Sequence, residues 1–377
     1  MGHHLRRSLI LASITVVALL GTLAGPAAAS GPRVSIVASG LDNPRGIAIG
    51  REGKVFVAVA GEGGTGPGGY GRSGKIVVID DGHARTYRGG LPSIMSPEGE
   101  TSGPVGVSVS REGKVYAVVG GGPPDVNKRF ASLLRVSREG SRILADIGGY
   151  QVTDPDPTDL DMPPNPTESN PYGIAALKHG RVLVTDAAGD DLLLVKRGGK
   201  VETVARFPNQ VISTSSLPPV FGVPPGLNLP AEAVPTSVAV GPDGYWYVGE
   251  LKGFPFEPGK SRIWRIAPWA RGVTCDPTAK SGDCTLFMDG FTSIVSLTFG
   301  SDGSLYVVEI VKKGVANLFA GTDTVGALWK VTDGVRTELV PGRLTVPGGV
   351  AVTKRGTIYV TNKSVAVNGG EVLRIKP

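Results

Sequence analysis

One segment recurs six times along this chain: NPRGIAIGREGKVFV, GPVGVSVSREGKVYA, NPYGIAALKHGRVLV, VPTSVAVGPDGYWYV, SIVSLTFGSDGSLYV and VPGGVAVTKRGTIYV. Pro44, Pro104, Pro171, Pro235 and Pro347 stand near the start of five copies, and Ile294 takes that place in the fifth. Nine residues later each copy carries a glycine: Gly53, Gly113, Gly180, Gly244, Gly303 and Gly356. A large residue follows three positions on, as Phe56, Tyr116, Leu183, Tyr247, Tyr306 and Tyr359. The inner spacing never varies, yet successive copies lie 53 to 67 residues apart. Insertions are therefore confined to loops outside a fixed hairpin.

Each copy reads as two strands joined at the glycine turn. A third strand follows at 75–79, 133–136, 192–195, 262–266, 328–331 and 372–375. Turns such as Asp81-Gly82 and Asp333-Gly334 then lead to a fourth strand in five units. The last unit lacks its fourth strand, and RVSIVA at 33–38 is the segment left to supply it. Four strands per unit at this repeat length predict an all-β, six-bladed β-propeller whose last blade is closed by the N-terminal strand. The first strand of each copy is small at alternate positions, beginning with Gly46 and Ala48, as wedges converging on an axis require. Glycine (56) and proline (30) are abundant enough for a disordered chain, but with 41% hydrophobic residues they must punctuate turns instead.

Residues 1–29 read as a signal peptide: Arg6-Arg7, an apolar run over 9–20 and a small-residue site at 27–29. The remainder, 30–377, reads as one propeller domain, secreted and free of the membrane after cleavage. Loss of the signal leaves 37 basic against 33 acidic residues, a net charge of +4, too weak and dispersed for nucleic acid. Cys275 and Cys284, inside CDPTAKSGDC, are expected to form a disulfide closing a small appended arm.

Antiparallel topology separates the two ends of the barrel of blades. Turns between strands one and two, and three and four, are tight on one face. The long segments 60–74, 92–103, 120–131, 148–169, 208–234, 251–261 and 310–326 emerge on the other, with the arm at 267–284 as the exception. Long loops on a rigid scaffold are where binding resides. Six residues after the turn glycine, four second strands end on Asp186, Glu250, Glu309 and Asn362. A ring of such groups would bind a polar ligand or a cation, calcium being the one suited to carboxylates. Equally, each would accept amides of its own loop. The run DPDPTDLD at 154–161 has the acidity of a calcium loop without its glycine, or is a solvated, proline-stiffened loop.

The P-x-G-[IV]-A … DG-x-[LI]-YV pattern resembles the NHL-like propellers over the whole mature chain. More narrowly, the GPG-rich and NPTESNPYG loops resemble the ScyD/ScyE family, named for proteins encoded with pigment biosynthesis in cyanobacteria. That resemblance implies a six-bladed propeller and export, and brings no catalytic residues. Gluconolactonase-type propellers are similar in blade pattern but place Asn or Asp where this chain has Arg45, Val105, Tyr172, Thr236, Val295 and Gly348. Related lyases and quinoprotein dehydrogenases use a histidine base, whereas His83 and His179 fall in tight turns of the other face. The sequence thus favours a monomeric, non-enzymatic module binding a small molecule or an extracellular protein. The alternative is a hydrolase or lyase acting on a small or phenolic metabolite.

Overall fold

The computed structural model describes residues 31–377. The segment 1–29, read as an export signal, lies outside the described residues. Six units of four antiparallel strands, two of them extended by a short fifth strand, surround a central channel, built on inner strands Pro44–Ile49, Pro104–Val109, Pro171–Ala176, Pro235–Val240, Ile294–Phe299 and Gly349–Val352. The turn glycines between inner and second strands all adopt φ between +72° and +83°, a region that glycine enters without strain. Among the described residues helix is limited to Ile147–Gln151 and Val315–Phe319, apart from short 3₁₀ turns, and none is long and apolar enough to cross a membrane.

Core packing explains the rest of the repeat. Instead of one core there are six hydrophobic clusters, one at each blade interface. Because successive side chains of a strand point to opposite faces, each second strand feeds two clusters. Val55, Val57 and Val59 face blade six, while Phe56 and Ala58 face blade two. The recurring large residue always joins the cluster shared with the following blade: Phe56 with blade two, Tyr116 with three, Leu183 with four, Tyr247 with five, Tyr306 with six and Tyr359 with one.

Ring closure runs as the repeat requires. Arg33–Leu41 pairs antiparallel with Gly370–Lys376, from Arg33 opposite Lys376 to Leu41 opposite Gly370. Ala38 and Leu41 enter the cluster between blades six and one.

Several segments read as loops carry structure of their own. In blade one the third and fourth strands extend to Tyr70–Asp80 and His83–Met95, so 70–74 and 92–95 belong to a hairpin rising from the blade. The segment 208–234 contains a second hairpin, Gln210–Ser213 with Asn228–Ala231. The cysteine-bearing arm is more than an appendage. Its strand Val273–Thr274 pairs in parallel with Ala205 and Arg206 on the outer edge of blade three. Cys275 and Cys284 are disulfide-bonded and buried in the cluster with Phe207 and Trp264. The arm therefore covers an exposed sheet edge and ties blade four to blade three.

Two outcomes follow from this packing. Deleting residues 32–41 should leave the third strand of blade six unpaired and produce aggregation or a large fall in melting temperature, whereas native stability would contradict the closure. The double variant Cys275→Ser, Cys284→Ser should lose about 2–3 kcal/mol in urea denaturation. Hydrogen exchange should also accelerate in Val201–Arg206, the strand that the arm covers. Exchange altered only within 276–283 would return the arm to a local role.

Candidate functional site

The loop-rich face is shaped by a fault repeated in the inner strands. In five blades the pairing of inner with second strand slips just after the opening residue, between Pro44 and Ile47, Pro104 and Gly106, Pro171 and Ile174, Pro235 and Ser237, and Ile294 and Ser296. In four of these the opening proline has no amide to offer the ladder, and a bulge re-aims the residue that follows. Arg45, Val105 and Tyr172 stand at these slips and line a cavity of about 800 Å³ at the mouth of the channel. Phe130, Glu168 and Asn170 from the surrounding loops complete much of its wall. Below it the channel itself holds about 350 Å³ between small inner-strand residues.

Arg45 is the conspicuous cation of that wall. Its carbonyl is held by the Thr361 hydroxyl at 2.7 Å. Its Nε is buried without a hydrogen-bond partner, and among the described residues no carboxylate pairs with its guanidinium.

The four strand-end residues are each engaged near their own blade. Asp186 accepts the Ser169 hydroxyl at 2.5 Å and the Asn170 amide at 2.6 Å, with further amides from Ala188 and Gly189. Burial raises its pKa, and those donors offset the rise in part. Glu250 accepts the Trp264 indole and pairs with Lys252 at 2.8 Å, both charges being fully buried. Glu309 accepts the Thr292 amide at 2.7 Å; burial raises its carboxyl, opposed by the Trp329 indole. Asn362 accepts the Thr345 amide at 2.7 Å and donates to Glu371. Among the described residues, the carboxylates close enough together to share a cation do not include Asp186, Glu250 or Glu309.

They are instead Asp156, Asp190 and Glu232, with Asp159 and Asp161 forming a second group around Glu232; within each group one oxygen per residue lies within 4.8 Å of the others. Asp156 belongs to the acidic run singled out in the sequence. Asp190 sits in the connection between the second and third strands of blade three, and Glu232 precedes the inner strand of blade four. Asp190 accepts the amides of Ala233 and Val234 at 3.0 and 2.7 Å. Burial first, then the charges of Asp156 and Glu232, hold its pKa well above the usual carboxylate range. Burial likewise raises Asp156 and Glu232, and Asp161, Asp156 and Asp159 add to the effect on Glu232. Sequence reasoning missed Asp190 and Glu232 because their proximity to the run exists only in three dimensions. A signal was nevertheless present: Asp190-Asp191 stand directly before the apolar Leu192–Val195, where a charge needs a reason.

No family model matches the chain, and no curated protein matches it. Among solved structures it is similar to a protein described as a glucose dehydrogenase-type oxidoreductase from Thermus thermophilus (TM-score 0.54, 19% identity, covering 92% of this chain and 100% of that one). It is also similar to a protein described as a gluconolactonase from Xanthomonas campestris (TM-score 0.51, 10% identity, 91% and 89% covered). Such neighbours are six-bladed propellers, and at these identities the likeness is one of fold.

The raised carboxyls make a signed prediction. The folded protein keeps protons on these groups where the unfolded chain has released them. Their contribution to stability is thus fully present below about pH 4 and lost as pH rises through the elevated folded values. Urea denaturation of chelator-treated protein between pH 4.5 and 8 should show wild type losing stability relative to Asp156→Asn as pH rises. Parallel curves would contradict it.

Proposed function

We propose that this chain is an exported ligand-binding propeller of the ScyD/ScyE-like type, and that the cavity beside Arg45 takes a small anionic molecule. The observation that carries this reading is the unpaired guanidinium on the wall of a ligand-sized cavity. The half-buried guanidinium of Arg45 leaves its Nε without a partner, and an incoming carboxylate would accept from it in a charge-assisted, bidentate geometry. Tyr172 supplies aromatic surface to the same cavity, which suits an aromatic or phenolic acid. Export is supported by the signal-like segment 1–29 and by the disulfide, a bond that forms in oxidising compartments. His83 opens the fourth strand of blade one rather than lying in its turn, His179 lies in the inner turn of blade three, and neither lines the cavity, which favours binding over acid–base catalysis there.

Calorimetry with 4-hydroxybenzoate and gluconate as probes tests the reading. Binding of the aromatic acid should weaken at least tenfold in Arg45→Met, about the 1.4 kcal/mol or more expected for a lost charge-assisted bond, and also in Tyr172→Ala. Equal affinity in Arg45→Met, or no binding of either probe by wild type, would contradict it.

A further inference from the structure

We propose that Asp156, Asp190 and Glu232 form a calcium site that fastens the 148–169 loop and blade three to blade four. Oxygens sharing one calcium ion at about 2.4 Å lie at most about 4.8 Å apart, and these three side chains each offer an oxygen within that limit. They come from three separate segments, so one ion would cross-link all of them.

Proximity of acids alone would mean little, but Asp156 adds a separate observation. The residue is only 5% exposed. Its Oδ1 accepts the amide and hydroxyl of Thr158, both at 2.9 Å, while Oδ2 is buried with no hydrogen-bond partner. A buried, partnerless oxygen on a carboxylate clustered with two others is an arrangement that a cation resolves, protons taking its place where the metal is absent. Asn209 repeats the pattern beside it: its Nδ2 donates to the Thr158 carbonyl at 2.7 Å, and its Oδ1 is buried without a partner.

No protein cation among the described residues pairs with the cluster, and Arg206 acts on Asp156 only from a distance. Among the described residues none of Asp156, Asp159, Asp161, Asp190 or Glu232 belongs to an ion pair, and the nearby Arg206 is bound to Asp154. That is a concentrated negative site in a chain whose formal charge is +6. The donors are all oxygen, which selects a hard cation over zinc or copper. Ligands gathered from three separate segments suit calcium's adaptable shell better than the strict octahedron of magnesium. Arg45 is not among its ligands, so loss of the guanidinium leaves calcium binding here in place.

The test begins with protein freed of metal by chelator and gel filtration, then titrated with calcium chloride by calorimetry and thermal denaturation. Saturable binding, a rise in melting temperature and slower proteolysis within 148–169 are expected. Asp156→Asn and Glu232→Gln should each weaken calcium binding at least tenfold. In chelator, however, Asp156→Asn should be as stable as wild type or more so, because an amide nitrogen in place of Oδ2 can donate to the facing carboxylates. That opposition of signs separates a lost ligand from a damaged fold. No heat and no thermal shift at about 10 mM calcium, above the range of extracellular calcium modules, would overturn the proposal. So would unchanged affinity in both variants, or a larger shift with magnesium than with calcium.

Discussion

Everything in this molecule depends on how closely the inner strands approach one another around the channel. A Cβ at Gly46 would stand 2.8 Å from the Val105 carbonyl, and one at Gly106 only 2.5 Å from the Tyr172 carbonyl. At Gly173 and Gly349 the neighbouring backbone is equally near, at 2.7 and 2.8 Å. Side chains are excluded where the blades converge, and volume must be added further out. The repeat meets that need by placing Phe56, Tyr116 and their equivalents one strand away from the axis. Small within and large without makes each blade a wedge, and six wedges whose ends pair through Arg33–Leu41 make a ring without a free internal edge.

This division of sizes is why the fold was legible in the sequence. Steric demands at the axis recur in every blade, so they leave a period that survives insertions. The four strand-end residues were legible as positions for the same reason, since equal offsets place them at equivalent heights. Contacts made once leave no period. The two-residue parallel pairing of Val273–Thr274 with blade three has no equivalent elsewhere in the ring, and neither has the hairpin of 210–213 with 228–231. Nor does the meeting of Asp156 with Asp190 and Glu232, of which only the first lies in a conspicuous run.

A rigid ring with loops on one face can hold opposite chemistries a short distance apart. The long connection from blade two to blade three takes part in both. Its Asn165, Thr167 and Glu168 line the cavity that Arg45 enters, while its Asp156 lies in the acidic cluster. Asp156 and Pro166 are joined by a backbone hydrogen bond of 2.8 Å, so the two stretches of the loop are mechanically linked. Whatever steadies the acidic end also steadies the cavity wall. Fixing a binding loop in advance lowers the entropy lost when a ligand arrives.

On the calcium proposal, the cation is held by Asp156, Asp190 and Glu232 between blades three and four, and not by Asp186, Glu250 and Glu309 at the strand ends. The most direct measurement is anomalous diffraction from crystals grown with manganese as a calcium substitute. The expected result is a peak bounded by Asp156, Asp190 and Glu232. A peak on the channel axis among Asp186, Glu250 and Glu309, or no peak at the acidic cluster, would contradict it.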